Sequence, residues 1–462
     1  MTPPRRLPPL EARWATGQAE RGRTPRRVLG TLVGRPDSYD PVARLRWQGE
    51  RRIGELLPIR YQRMLASPLA HFRGAALVMA DDLARGRSSS LEVQICGDAH
   101  LSNFGIFSSP ERQLVFDVND FDETDQGPFE WDVKRLVTSL VIASEQLGHY
   151  PHVQAAIAFD AAKEYQRSMR RFAQESRLDV WYAALDVETI LVQLRGFFAD
   201  NAMRHVDDVI HRAKSKESSR AFNEMITYTK TGPRISPRPP HVTPLSAMES
   251  GTLVARSVVY QVLDGYRTTL SGDRQALLAQ FTPVDAAHQV VGVGSVGTAD
   301  YIVLLVGRDE DDPFFLQVKE AQPSVIAMAR GASPAMRHGQ RVVSGQKLMQ
   351  ATPDVFLGWH TVRSARYERS FYIRQLYDNR ASVIIEQLNE SQFRAYGRVC
   401  AWVLARAHAR SGHGAEIAGY LGSSERFAEA MATFALAYRD QNLADYHALA
   451  RAGEEGRITV AS

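Results

Sequence analysis

The sequence predicts an α+β fold with two lobes, one mainly helical and the other rich in strands. Apolar residues recur at helical spacing through most of residues 41–285, whereas runs of β-branched and aromatic residues dominate residues 286–385. Helical spacing then returns over residues 386–462. We therefore expect two separate stretches of the chain to form the helical lobe, with the strand-rich lobe between them.

The composition indicates a globular protein. The chain has 462 residues, 44% of them hydrophobic, and a formal net charge of only +4, which is a weak argument for nucleic acid or a membrane surface as a partner. Its two cysteines are too few for a disulfide framework or a thiolate zinc site. No stretch has the length and apolarity of a signal peptide or a transmembrane helix, so we expect a cytoplasmic protein without membrane contact.

The first predicted helices follow a segment without periodicity. Residues 1–40 are rich in arginine and proline, and we expect them to form a flexible or loosely packed arm. "PVARLRWQGERRIGELLPIRYQRML" then has helical spacing interrupted at Pro58, and "GAALVMADDLARG" predicts a helix that ends at Gly86. These helices begin the helical lobe.

A cluster of polar residues follows the next strand. In "QICGDAHLSNFG", Asp98, His100 and Asn103 lie within six positions, directly after an apolar run. A second strand, "RQLVFDVNDFDET", ends in Asp120 and Asp122, and the helix "GPFEWDVKRLVTSLVIASEQLG" follows it. Carboxylates and an asparagine amide placed at strand ends are suited to bind a divalent cation.

A glycine motif opens the strand-rich lobe. Residues 292–297 read GVGSVG, in which Gly292, Gly294 and Gly297 match the G-x-G-x-x-G pattern. A dinucleotide-binding fold would need a helix after the glycines, but "TADYIVLLVG" predicts a strand. The glycines and Ser295 therefore belong to a strand–turn–strand, as in the loop that covers the nucleotide phosphates in kinases.

A lysine follows on the next strand, "FFLQVKEA". Lysine is rare in this chain, which has seven lysines and otherwise uses arginine for positive charge. By itself Lys319 is compatible with a solvent-facing residue at a strand end. Together with the glycine motif it predicts an ammonium group that neutralises nucleotide phosphates.

These elements together predict phosphoryl transfer from ATP, with Mg²⁺ as the metal. Such transfer depends mainly on positioning and on charge neutralisation. Asp98 would accept the proton of the acceptor group, and Asn103, Asp120 and Asp122 would hold Mg²⁺. Asp117 is either a further carboxylate on the same face of the strand or an acid hydrogen-bonded within it.

The motifs resemble those of a known group of enzymes. "GDAHLSN", "NDFDET" and "GPFEWDVKRL" are similar to the catalytic segment of the aminoglycoside phosphotransferases and choline-kinase-like enzymes, which have a protein-kinase-like fold. The resemblance implies that Asp98 is the catalytic base, that Asn103 and Asp120 bind Mg²⁺, and that Asp132 braces the catalytic loop. Cys96 stands where those enzymes have a histidine that mainly packs. The whole chain, including "SPLAHFRGAA" and "VGVGSVGTADYIVLL", resembles a bacterial family known as domain of unknown function 2252.

The order of the motifs differs from that of the phosphotransferases. There the glycine loop, lysine and hinge precede the catalytic loop, whereas here they follow it. A circular permutation restores the order, because the segment after "SFYIRQLY" resembles the helix after the hinge, and "GAALVMADDLARG" resembles the helix before the catalytic loop. Backbone groups from Gln375 to Tyr377 would then face the nucleotide base. The alternative is two unrelated units whose motifs only look complementary.

The sequence leaves the partner of Lys319 and the role of His100 open. The glutamate that pairs with the phosphate-binding lysine in kinases is missing from the following helix, and Gln340, Gln346 or Glu320 would have to replace it. His100 either binds a metal together with neighbouring acids or braces the loop.

Positive charge outside the motifs has two interpretations. Arg73 either clamps a phosphate or carboxylate in bidentate fashion or forms an ordinary ion pair. The basic run from Arg204 to Arg238 contains only two aromatic residues, Phe222 and Tyr228, so we interpret it as a solvated face and not as a nucleic-acid site.

The predicted function is an ATP- and Mg²⁺-dependent phosphotransferase acting on a small-molecule hydroxyl or amine. An adenylyl transferase on the same fold and a non-catalytic ATP-binding pseudokinase are the alternatives. A metal-dependent hydrolase built on Asp98 and His100 is the least supported of the enzyme classes.

Overall fold

The structure is a computed structural model that describes residues 8–184, 224–247, 256–363, 368–376 and 383–461. Both helices and strands are present, and the strands next to the glycine motif form one antiparallel sheet, so the predicted α+β class is confirmed. Among these residues no helix combines the length and apolarity needed to cross a membrane.

Short helices precede the first strand. They are α1 (Leu10–Arg23), α2 (Pro41–Gly49), α3 (Leu57–Met64), α4 (Pro68–Gly74) and α5 (Ala76–Arg85). α5 ends at Gly86, as the sequence predicts, and the expected interruption is the boundary between α2 and α3. Pro58 itself lies in the first turn of α3, where its missing N–H costs no hydrogen bond.

The predicted flexible arm is packed over residues 8–40. α1 lies against the helix Gly414–Leu421 at very short range, since a Cβ added to Gly17 would come within 1.8 Å of the carbonyl oxygen of Glu416. Arg13 also donates to the Glu416 carboxylate at 2.9 Å. The arginines that suggest a solvated segment are thus used for contacts with the C-terminal helices, a role that composition does not reveal.

Two short antiparallel ladders carry the polar cluster. β1 (Glu92–Ile95) pairs with β4 (Asp125–Pro128), and β2 (Phe104–Ser108) pairs with β3 (Leu114–Val118). The chain then forms α6 (Phe129–Gln146), α7 (Pro151–Phe172) and α8 (Arg177–Tyr182). α6 is buried along most of its length because β1, α7 and the C-terminal helices surround it. The polar loop after β1 is therefore anchored at the centre of the helical lobe.

The strand-rich lobe contains a six-stranded antiparallel sheet. Its strands are β7 (Val242–Pro244), β8 (Thr282–Gln289), β9 (Asp300–Val306), β10 (Pro313–Ala321), β11 (Gly358–Arg363) and β12 (Glu368–Gln375). Their order in the sheet is β11, β12, β10, β9, β8, β7. β5 (Ile226–Thr229) and β6 (Gly232–Ile235) form a separate ladder.

This lobe begins earlier in the chain than the predicted boundary at residue 286. α9 (Arg256–Arg267) and α10 (Gly272–Leu278) share a hydrophobic core with the sheet, in which Tyr266 and Val303 are both buried. A helical pattern identifies an amphipathic helix but not the surface that it packs against, which is why the sequence assigns these helices to the other lobe. α11 (Val325–Arg330) and α12 (His338–Met349) connect β10 to β11.

The C-terminal helices pack with the helices that precede the sheet. They are α13 (Glu390–His408), α14 (Gly414–Leu421) and α15 (Arg426–Glu454). α13 and α15 pack along α7 and share one core with α6. A fully buried ion pair of 2.6 Å between Arg406 and Asp117 fastens α13 to β3.

Lys134 on α6 predicts an unusual pH dependence of stability. Its side chain is 3% exposed, and burial lowers its pKa from 10.5 to about 8, although Glu130 opposes the shift and the Phe434 ring lies 4.4 Å from Nζ. The folded protein thus holds this proton more weakly than the unfolded chain does. We expect Lys134→Met to raise the free energy of unfolding at pH 7 by about 3 kcal/mol.

The difference between the two proteins should shrink as the pH rises from 8 to 10.5. Between these pH values the folded wild type has lost the Lys134 proton that the unfolded chain still binds. The free energy of unfolding of the wild type therefore rises with pH and approaches that of Lys134→Met. Urea unfolding of both proteins at several pH values measures the difference. A variant less stable than the wild type at pH 7 would show that the Phe434 contact outweighs the cost of burial.

Candidate functional site

One cavity brings together the polar loop and the glycine motif. Asp98, Asn103 and Asp120 line it from the helical lobe, and Gly292 and Gly294 line it from the other. The cavity has a volume of about 110 Å³. Segments that lie far apart in the sequence thus form one site.

Asp132 braces the loop after β1, as the resemblance implies. This buried carboxylate on the first turn of α6 accepts hydrogen bonds from the backbone N–H groups of Cys96 (2.6 Å) and Gly97 (2.9 Å). His408 of α13 approaches the same carboxylate at 3.1 Å through Nε2. The loop is therefore attached to two helices that come from opposite ends of the chain.

Asp98 has one carboxylate oxygen fixed and the other near the cavity. Arg135 Nε donates to Oδ1 at 2.8 Å, and His100 Nε2 lies 3.7 Å from Oδ2. Burial raises the pKa of Asp98, with Arg135 opposing the shift, which makes the carboxylate a stronger base. This is the arrangement of an oriented proton acceptor.

Three side chains of the cluster fit a magnesium ion. Asn103 donates through Nδ2 to the carbonyl oxygen of Asp98 at 2.7 Å, which leaves its side-chain oxygen as a ligand. Asp120 Oδ1 is buried and has no hydrogen-bond partner among the described residues. Burial and the neighbouring Asp122 both raise the pKa of Asp120, a repulsion that a divalent cation would relieve.

The donor set is small, as is usual for magnesium. In the part of the chain that the structure describes, no group of three or more His, Cys, Asp or Glu side chains is arranged to hold a metal. Asn103, Asp120 and Asp122 offer two carboxylates and one amide instead. Mg²⁺ commonly takes one or two carboxylates and completes its shell with water and phosphate oxygens.

Lys319 reaches the acidic residues from the sheet. Its Nζ lies 2.8 Å from Asp122 Oδ2 and 3.8 Å from Asp120 Oδ2, and the Tyr372 hydroxyl donates to the other Asp122 oxygen. These carboxylates outweigh burial and raise the pKa of Lys319, while Lys319 in turn lowers the pKa of Asp122 against the effect of burial. Lys319 is thus a permanent cation beside the proposed metal ligands.

Gln340, Gln346 and Glu320 were the three possible partners of Lys319. Within the described ranges none of them forms a hydrogen bond or an ion pair with its side chain. Gln346 instead donates to the Gln350 side chain, and Glu320 accepts the backbone N–H of Ala299. The carboxylate that pairs with Lys319 is that of Asp122. The helix that follows the lysine strand contributes differently, through Arg341 on α12, which donates to the Asp122 carbonyl oxygen at 2.8 Å.

The glycine loop joins β8 to β9, as the sequence predicts. Gly292 and Gly297 have φ values of 72° and 92°, which favour glycine. The amides of Gly292, Gly294, Ser295 and Gly297 have no hydrogen-bond partner within the described segments. Gly292, Gly294 and Ser295 line the cavity, so their N–H groups are available to phosphate oxygens.

The sequence did not indicate two residues of the cavity, Arg52 and Glu123. Arg52 donates through Nη1 to the carbonyl oxygens of Gly294 (2.7 Å) and Val296 (2.6 Å), and no local motif marks it. Glu123 accepts the N–H of Val325 at 2.6 Å, and burial raises its pKa to about 7. The acidic run after β3 was the only sequence signal for Glu123.

Four predicted residues do not line the cavity: Gly297, Lys319, Gln375 and Asp117. The N–H of Gln375 donates to the Asp354 carboxylate, so it is not free to bind a nucleotide base, and Gln375 lines a different cavity. Asp117 is buried and forms an ion pair with Arg406. It is therefore an acid bonded within the fold and not a further carboxylate of the site. Tyr377 lies outside the described residues.

The chain matches a protein-family model over most of its length. The model described as "Uncharacterized protein conserved in bacteria (DUF2252)" matches residues 52–452. No curated protein matches the chain, and no solved structure matches it. The match includes every cavity residue named above but carries no reaction.

Proposed function

Because the chain belongs to the bacterial DUF2252 family, whose description assigns no reaction, we propose its function from the site itself. The protein is proposed to be an ATP- and Mg²⁺-dependent phosphotransferase that acts on a small-molecule hydroxyl or amine. One observation carries the proposal: the glycine loop meets Asp98, Asn103 and Asp120 at one cavity, with Lys319 beside the acids.

The sheet supports phosphate binding. β8, the glycine loop, β9 and β10 follow one another as an antiparallel meander, and Lys319 lies on the third strand. In kinases the lysine that contacts the phosphates also lies on the third strand of such a meander, whose glycine-rich loop joins the first two strands. The sheet therefore has the order of parts that a kinase nucleotide lobe requires.

The packing of the helices supports a kinase-like fold in circularly permuted order. α13 and α15 follow the sheet in sequence but pack with α6, which precedes it. The N–H of Ala461 also donates to the carbonyl oxygen of Pro58 at 3.1 Å. The C-terminal helices and the helices before the catalytic loop thus pack into one body. A kinase-like fold in circularly permuted order requires this packing.

The residues divide the chemistry between them. Asp98 accepts the proton of the acceptor as its oxygen or nitrogen forms a bond to the γ-phosphorus and the bond from that phosphorus to the bridging oxygen of ADP breaks. Lys319 and the loop amides neutralise the charge on the phosphate oxygens. Asn103, Asp120 and Asp122 would hold Mg²⁺, which when bound supplies further neutralisation of the phosphates.

A nucleotide is larger than the cavity. Typical ligand pockets have about 300–1,000 Å³, against about 110 Å³ here. Arg52 and Arg63 hold the glycine loop through its carbonyl oxygens, and Arg63 donates to that of Gly292 at 2.6 Å. We expect these contacts to rearrange when ATP binds.

Calorimetric titration with Mg²⁺–ATP tests the proposal, followed by turnover with ATP labelled at the γ- or α-phosphate and a pool of metabolites. We expect binding and transfer of the γ-label. Asp120→Asn should weaken the apparent Mg²⁺ affinity in turnover by roughly tenfold or more, because a carboxylate ligand becomes a neutral amide. Asp273→Asn, at an exposed acid on α10, is the matched control.

Each other outcome has a definite meaning. Transfer of the α-label indicates an adenylyl transferase, and binding without transfer of either label indicates a pseudokinase. Absence of ATP binding to the wild type contradicts the proposal as a whole. A normal Mg²⁺ dependence of Asp120→Asn contradicts the assignment of the metal ligands alone.

A further inference from the structure

Three arginines on the helical side of the cavity lack acidic partners. Arg52 and Arg73 line the cavity, and Arg60 lies next to them with its side chain fully buried. Arg60 Nη2 donates to Gln48 Oε1 at 2.8 Å, and Gln48 also lines the cavity. No carboxylate within the described ranges forms an ion pair with any of the three arginines.

Several of their N–H groups are buried without a hydrogen-bond partner. Among the described residues these are Arg52 Nε, Arg60 Nε, Arg60 Nη1 and Arg73 Nε. Buried polar groups are nearly always hydrogen-bonded, because an unpaired one has given up its contacts with water without replacement. Burial lowers the pKa of all three guanidinium groups, and Arg52 lowers that of Arg60 further. The protein thus keeps three guanidinium groups here with unpaired N–H groups and, among the described residues, without an ion-paired acid.

The carboxylates of the cavity already have other partners. Asp98 binds Arg135, and Asp122 binds Lys319. Glu123 accepts the N–H of Val325. They act on the arginines from a distance but form no ion pair with them within the described residues.

Resting on the proposed phosphotransferase function, we propose that Arg73 and Arg52, with Arg60 behind them, bind an anionic group of the acceptor. The acceptor is then a small molecule that carries a phosphate or carboxylate in addition to the hydroxyl or amine. Arg73 is placed for this role because it lines the same cavity as Asp98 and interacts electrostatically with it. A planar guanidinium binds either anion in bidentate fashion.

The competing interpretation assigns these arginines to the nucleotide phosphates. The glycine loop already supplies donors for those phosphates, and Lys319 supplies positive charge beside Asp120 and Asp122. Arg52 itself contacts the loop carbonyl oxygens, so the choice between the two interpretations depends on Arg73. Arg73 lines the same cavity as Asp98 and its charge acts on that carboxylate, which favours the acceptor.

Inorganic phosphate is the probe, titrated by calorimetry into protein saturated with Mg²⁺ and the non-hydrolysable analogue AMP-PNP. We expect saturable binding of phosphate to the loaded wild type and none of choline, a cationic alcohol. Arg73→Gln should weaken phosphate binding by roughly tenfold or more. Arg73→Lys should recover part of it, since the charge remains and the fork is lost.

Arg167→Gln is the matched control, because the Arg167 side chain is 79% exposed on α7. Thermal unfolding of each variant verifies that it is folded. The proposal is overturned if bound AMP-PNP abolishes phosphate binding, if Arg73→Gln binds phosphate as the wild type does, or if choline binds instead. If AMP-PNP itself does not bind, the proposed function fails, and the acceptor site falls with it.

Discussion

Asp98→Asn is expected to lower the rate of phosphoryl transfer by about 10²–10⁴-fold while leaving Mg²⁺–nucleotide binding unchanged. Asparagine has the same shape, and its side-chain oxygen still accepts the hydrogen bond from Arg135 Nε. The backbone carbonyl that holds Asn103 is also retained. Only the ability to take up the acceptor's proton is lost. Single-turnover release of the γ-label, together with calorimetry on AMP-PNP, measures the two effects separately.

The matched control is Asp440→Asn, which makes the same change at a side chain that is 68% exposed. Its transfer rate should equal that of the wild type. A wild-type rate in Asp98→Asn would mean that the proton goes to another group. Glu123, a carboxylate of the cavity wall whose pKa burial raises to about 7, would be the first residue to substitute next.

Asp132→Asn is expected to lower the free energy of unfolding by about 3–5 kcal/mol and to reduce transfer as well. The carboxylate accepts from the N–H groups of Cys96 and Gly97 and lies 3.1 Å from His408 Nε2. The single oxygen of an asparagine amide cannot serve all of these donors, and its NH₂ group would face one of them. Urea unfolding measures the loss of stability.

Hydrogen exchange distinguishes loss of the brace from general destabilisation. The amides of Cys96 and Gly97 should lose protection at denaturant concentrations at which α7 remains protected. Asp160→Asn is the control, since that aspartate pairs with Arg394 in a partly exposed position, and we expect a cost of about 0–1 kcal/mol. Equal costs for the two variants would contradict the role of Asp132 as a brace.

Stretches with a short-range pattern could be predicted closely. The glycine motif lies between two strands, Lys319 follows on the third, and α6 starts after the acidic turn. Each of these elements depends on alternation or helical spacing among neighbours in the chain. Asp98, Asn103, Asp120 and Asp132 were identified for the same reason, because strand, loop and helix place them within one continuous segment.

Residues whose roles depend on distant partners could not be predicted in this way. Arg52 docks on the glycine loop from a turn after α2, and the acid that pairs with Lys319 is Asp122 instead of a residue on the following helix. Neither role leaves a pattern among the neighbouring residues. The sequence shows the same arginine or aspartate whether its side chain faces water or a partner from another lobe.

The sequence by itself determined the chemical inventory of this protein and the local shape of each part. The helices and strands next to Asp98, Gly292 and Lys319 follow from backbone preferences and from the spacing of apolar residues. Only the tertiary structure decided that these parts share one cavity and that arginines without an ion-paired acid among the described residues line its helical side. The physical reason is that the periodicity of a segment selects which face is buried, whereas the packing of separate segments selects what that face meets.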